Sequence, residues 1–170
     1  MTLITISIIA ATVIYLTYNA ICLTLFGVPE SLSNTYYLWR ERNGKGYLFS
    51  LMMYAVVALM MPAWITMSKG SDFQFLSFLA PSAIAFVATA PAFKSDDLEN
   101  VVHSTAAIVA AVCSLAWVAI ITPYWVTIPV FFCIYAIKAV WTSTYKTCLV
   151  YWLEQVAFGA TFTSAIMYSL

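Results

Sequence analysis

The chain predicts an all-α fold, a polytopic membrane bundle of six transmembrane helices forming a single integral membrane domain over residues 1–170. Hydrophobic residues make up 64% of it and charged ones 8%, against about 45–50% and 25% in ordinary soluble domains. Six apolar stretches fill nearly all of its length, each close to the roughly 20 residues that a 1.5 Å rise requires to cross a hydrocarbon core of about 30 Å. They are apolar on every face and far too long for barrel strands, which alternate over short segments.

The first stretch, Leu3–Phe26, is stopped by Gly27 and Pro29. It lacks the basic leader and small-residue cleavage site of a secretory signal, so a retained helix is expected. Asn43-Gly44 with Gly46 turns the chain into the second, Tyr47–Met67, which closes between Pro62 and Lys69-Gly70. The third is Phe73–Phe93. Pro81 inside it predicts a kink, tolerated where neighbouring helices or Ser77 satisfy the freed carbonyl. Pro91 and Ser95-Asp96-Asp97 separate it from the fourth, Val101–Thr122, and Pro123 makes a tight hairpin into the fifth, Trp125–Val140. The sixth is Cys148–Met167.

Trp39, Trp64, Trp125 and Trp141 stand near helix ends with several tyrosines, the pattern of an aromatic belt at the headgroup level. Arg40, Arg42, Lys45, Lys94, Lys138 and Lys146 belong to the first, third and fifth connections or their edges, whereas the second carries only Lys69. This asymmetry predicts those odd connections in the cytoplasm and both termini outside. Ala106, Ala110 and Ser114 repeat every four residues on the fourth helix, and Ala107 and Ala111 run parallel to them. Small residues at that spacing let helix backbones approach closely in lipid. With the row Ser77, Pro81, Ala85 and Thr89, this places the third and fourth helices at the bundle's centre and makes the fourth the most buried.

A formal charge of zero gives no footprint for nucleic acid. The four cysteines, Cys22, Cys113, Cys133 and Cys148, lie singly among apolar neighbours, and one histidine is present. That pattern suits small buried hydrophobes; neither a metal site nor a cofactor is expected. Membrane lipids, and a membrane protein partner, are the partners to consider.

Most ionisable groups fall on one side. The densest cluster is Asp96-Asp97-Leu98-Glu99 followed by His103. Asp96 and Glu99 have capping-box spacing, and Glu99 and His103 are four apart, hence on one helical face. That face continues through Ala107 and Ala111, so His103 is expected to point into the bundle, as a capped structural histidine or as a general base or proton relay. Glu154 lies about two turns into the sixth stretch, where an ionisable group is costly and usually faces the bundle. Lys138 lies toward the same side and is a possible ion-pair partner. The segment Gly27–Tyr37, GVPESLSNTYY, offers Glu30, Ser31, Ser33, Asn34 and Tyr36 where the first helix leaves the apolar zone. Helix capping and an interfacial turn account for its hydroxyls; headgroup binding or a nucleophilic serine is the sharper alternative.

The stretches GVPESLSNTYY, APAF and LENVVHSTAA, taken with six helices, resemble small uncharacterised membrane proteins of gut bacteria and their phages, which implies a bacterial inner membrane. More distantly, polar residues after the first helix and a carboxylate–histidine pair opening a later one are similar to the alkaline ceramidase/adiponectin-receptor hydrolases. That superfamily uses a serine, aspartates and three zinc-binding histidines on seven helices. The resemblance matches Ser31 or Ser33, Asp97 and His103 in kind, while two histidines and a seventh span lack counterparts.

Three functions follow. The first is a membrane protein with a polar pocket on its cytoplasmic half, formed by Glu154, Lys138, Glu30 and Tyr36, that binds or modulates a lipid or a membrane partner. The second is a small lipid hydrolase with catalytic residues drawn from His103 as base, Glu99, Asp97, Ser31 and Ser33. The third is a proton-coupled carrier using Glu154 and His103, for which no inverted repeat is evident.

Overall fold

A computed structural model describes residues 2–89, 91–94 and 97–170. Among them the chain is all-α, with seven helices and no strand: α1 (Leu3–Phe26), α2 (Thr35–Asn43), α3 (Tyr47–Met67), α4 (Leu76–Thr89), α5 (Asp97–Ile121), α6 (Thr127–Trp141) and α7 (Leu149–Ser169). The helix beyond the expected six is α2. Its nine residues rise only about 14 Å, too little to cross a bilayer. Of the segment Gly27–Tyr37, expected to be an interfacial turn, the first eight residues form bends and turns and the last three open α2. Local chemistry explains why. Ser31 Oγ accepts from the Asn34 N–H at 3.1 Å ahead of the first turn. At the other end Gly44 adopts φ 75° and sends its N–H to Arg40 O, a left-handed cap that glycine enters without steric cost.

Three helices, α1, α3 and α5, are long and apolar enough to cross a membrane. The apolar helices α4 and α6 are shorter, with 14 and 15 residues. In α7 a sufficient length of 21 residues is interrupted by Glu154 and Gln155. The α-helix of α4 thus covers less than the expected Phe73–Phe93 run, because residues 72–75 form turns and Gln74 O is taken by the Ser77 N–H and hydroxyl. Ser77 consequently does not serve the carbonyl freed by Pro81, which sits buried within α4.

The helices close into a ring. Each of α1, α3, α4, α5 and α7 packs on the next, and α7 returns to α1; α6 lies outside against α7, and α2 lies against α3. Hydrogen bonds fix which ends coincide. Thr5 Oγ1 donates to Ser169 O at 3.2 Å, bringing the start of α1 to the end of α7. At the other end the Tyr151 N–H donates to Glu30 O at 3.2 Å. Here the residues after α1 bind one of the backbone donors that every helix leaves unsatisfied in its first turn.

The expected centre is corrected in part. The Ala106, Ala110 and Ser114 row is buried, as close packing requires. Yet α5 is not the most buried helix: six of its 25 residues are buried, against ten of 21 in α7 and eight of 14 in α4, the expected third helix. The reason is topological: α7 is covered by α1 on one side, α5 on another and α6 on a third. Large side chains such as Ile6, Leu51, Phe86, Ile108, Phe132 and Ile137 are exposed around the outside.

Candidate functional site

The residues singled out in the sequence divide between two places. The first is a cluster of loops at the end of the bundle where α7 begins. Lys94 Nζ meets Glu30 Oε2 at 3.0 Å and Asn34 Oδ1 at 2.8 Å, while the Lys94 N–H donates to the Tyr37 hydroxyl at 2.7 Å. These contacts tie the α4–α5 connection to the segment after α1. Lys94 and Glu30 are exposed, so their pairing adds little stability and serves position. Phe93 packs edge-on to Tyr37 and stacks on His103, with ring centroids 4.4 Å apart. His103 is buried, as expected, but beneath this loop cluster. Tyr36 is half-buried, its ring against Gly46 and edge-on to Tyr37.

Ser31 and Ser33 bond each other at 3.0 Å, and Ser31 also supports the turn into α2. Asp97 is exposed in the first turn of α5 and Glu99 is partly buried there, where carboxylates complement the helix dipole. The proposed capping partner Asp96 lies outside the described residues. Among the described residues no three His, Cys, Asp or Glu side chains gather to hold a metal ion.

The second place is the interior. Glu154 Oε2 accepts from the Leu32 N–H at 2.6 Å, which ties the carboxyl to the segment after α1. Lys138 is not its partner. That side chain is exposed, with its ammonium 5.9 Å from the Tyr135 ring centroid. The long aliphatic stem lets the cation leave the bundle, and hydration at the edge outweighs a buried pairing.

Beside Glu154 a cavity of about 50 Å³ runs between α3, α4, α5 and α7. Its walls include Met53, Val87, Ala107, Ala111, Phe158 and Phe162, so the alanine row supplies the space. Glu154 borders it toward the charged end, Thr161 lies two turns deeper on α7, and Trp64 and Ser114 border it as well. Thr161 Oγ1 and Trp64 Nε1 are buried polar atoms without a hydrogen-bond partner among the described residues. Such atoms are uncommon in folded proteins because each forfeits solvation. His103 does not line this cavity, although Ala107, one turn further on, does. The structure therefore does not bring Glu154 and His103 into one chamber.

Sequence reasoning did not single out Thr161, Asn19 or Gln155. Asn19 Oδ1 accepts from the Tyr151 hydroxyl and from Gln155 Nε2, each at 3.2 Å, while its own Nδ2 donates to Tyr15 O at 3.0 Å. The available signal was a neutral amide within an apolar run, which is as unusual there as a charge. No protein-family model matches the chain, and no curated protein or solved structure is significantly similar to it.

Proposed function

We propose that this chain is a six-span membrane protein, with α2 lying along the interface and the ends carrying Arg40 and Lys94 in the cytoplasm, and that it binds a lipid or a membrane partner through a polar group admitted to the chamber beside Glu154. The apolar residues exposed around the whole bundle support the embedding, since a helix apolar on all sides belongs in a core or in lipid. Short α4 and α6 extend toward full spans through the turns that flank them. The observation that carries the binding function is the chamber itself: about 50 Å³ of space lined by Glu154, Trp64 and Thr161, the last two carrying buried polar atoms without a partner among the described residues. A cavity holds a water where roughly 10–15 Å³ is open to its centre and two or more polar groups reach it. This chamber offers room for several waters or for one small polar group carried on an apolar body.

Dicyclohexylcarbodiimide, an apolar reagent that derivatises carboxyl groups reachable from lipid, tests this reading. The intact protein in bilayers should take up one adduct at Glu154, and Glu154→Gln should remove it. Ala111→Phe, which fills the chamber from α5, should slow the labelling while the fold persists. Labelling confined to Glu30, Asp97 or Glu99, or insensitive to Ala111→Phe, would contradict an accessible chamber.

A further inference from the structure

A second recess, separate from the chamber, lies on the outer face of α1 and α3. Val13 and Ile21 of α1 and Leu48, Leu51 and Ala55 of α3 border a groove of about 510 Å³, and Trp39 of α2 borders it from the charged end. From Val13 to Ile21 the groove follows α1 for about 12 Å, most of the roughly 15 Å depth of one hydrocarbon leaflet. Its charged end is built by α2, whose Trp39 turns inward while Arg40 and Arg42, and Lys45 just beyond, are exposed. Glu41 is the single acidic residue of that helix. The Arg42 guanidinium lies 5.7 Å from the centroid of the Phe26 ring, at the last residue of α1. An apolar channel nearly one leaflet deep, closed at one end by Trp39 of the short helix that carries Arg40 and Arg42, suits one molecule in chain and charge together.

We propose that this groove holds an anionic phospholipid, with one acyl chain along α1 and α3 and the phosphate gathered by Arg40, Arg42 and Lys45. The site rests on the membrane-embedded reading of the bundle. Guanidinium groups suit it because their planar donors engage phosphate oxygens in pairs, and basic residues next to a membrane helix favour anionic headgroups. A partner helix fits less well. It is about 10 Å wide with its side chains, would meet Trp39 before reaching the interface, and would bring no group to neutralise the three cations.

The test is native mass spectrometry of the full chain, released from nanodiscs containing equal phosphatidylglycerol and phosphatidylcholine. The unmodified protein should retain phosphatidylglycerol over phosphatidylcholine by about tenfold. The triple variant Arg40→Gln, Arg42→Gln, Lys45→Gln should lose that preference, and being confined to exposed positions it should fold. Ala55→Phe, which fills the groove, should reduce retention of both lipids, with helix content checked by circular dichroism. Glu154→Gln should change neither result. Equal retention of the two lipids by the unmodified chain, or a preference that survives the triple variant, would overturn the site. A chain washed from membranes by alkaline carbonate would overturn the embedding and the site together, whereas a carbonate-resistant chain without lipid preference would leave the embedding standing and remove only the site.

Discussion

The two sides of α7 treat their polar groups in opposite ways. Toward α1, the Asn19 amide is fully engaged: its oxygen takes two donors, from Tyr151 and Gln155, and its nitrogen donates to Tyr15 O, although the Tyr15 hydroxyl has no partner among the described residues. Toward the α6 turn, Ser164 and Thr127 share a hydrogen bond of 2.8 Å. Toward α5, the same helix presents Glu154 and Thr161 to a cavity, and the Thr161 hydroxyl meets no partner among the described residues. A low-dielectric interior makes a satisfied network rigid and an unsatisfied group costly. The difference separates side chains that bond across the bundle from the Thr161 hydroxyl, which lies on the cavity side without a partner among the described residues.

Breaking the satisfied side should have the larger effect. Asn19→Leu leaves the Tyr151 hydroxyl and the Gln155 amide without their acceptor, and should destabilise the protein by about 1–3 kcal/mol. Thermal unfolding in mild detergent measures this directly. A change within about 0.5 kcal/mol would mean that the cluster relaxes onto other partners, as polar groups in membrane helices sometimes do.

The unsatisfied side should respond much less. Thr161→Val keeps the shape and removes a hydroxyl without a partner among the described residues, so stability should stay within about 0.5 kcal/mol or rise slightly. A loss as large as that of Asn19→Leu would show that the hydroxyl has a structural partner, and the contrast between the two sides would disappear.

The same contrast marks what could be read from the sequence. Apolar runs located six helices, and the ends of α1 and α3 coincide with Leu3–Phe26 and Tyr47–Met67 because glycine, proline or polar turns bound those runs. Hydropathy could not reveal α2, since its nine residues, all polar or aromatic but Leu38, form no apolar run; its signals were the serines before it and Gly44 after it. The small-residue row on α5 was legible because spacing alone defines it. Its consequence was not: Ala106 is buried within the bundle, while Ala107, Ala110 and Ala111 border a cavity. The depth of Glu154 correctly turned attention inward, but its partner is a backbone N–H at Leu32, and backbone donors carry no signature in sequence. Lys138 illustrates the converse. Nearness in sequence and depth suggested a pairing that the outward path of a flexible side chain prevents.

The central claim is that the α5 side of α7 borders an accessible chamber and the α1 side does not. Single cysteines at Thr161 and at Gln155, each in a background with Cys22, Cys113, Cys133 and Cys148 replaced by alanine, test it in membranes with a small water-soluble methanethiosulfonate. The Thr161→Cys thiol should react and be protected by Ala111→Phe, while the Gln155→Cys thiol, facing the Asn19 cluster, should stay unmodified. Equal reactivity at the two positions, or an inert thiol at Thr161, would contradict the chamber.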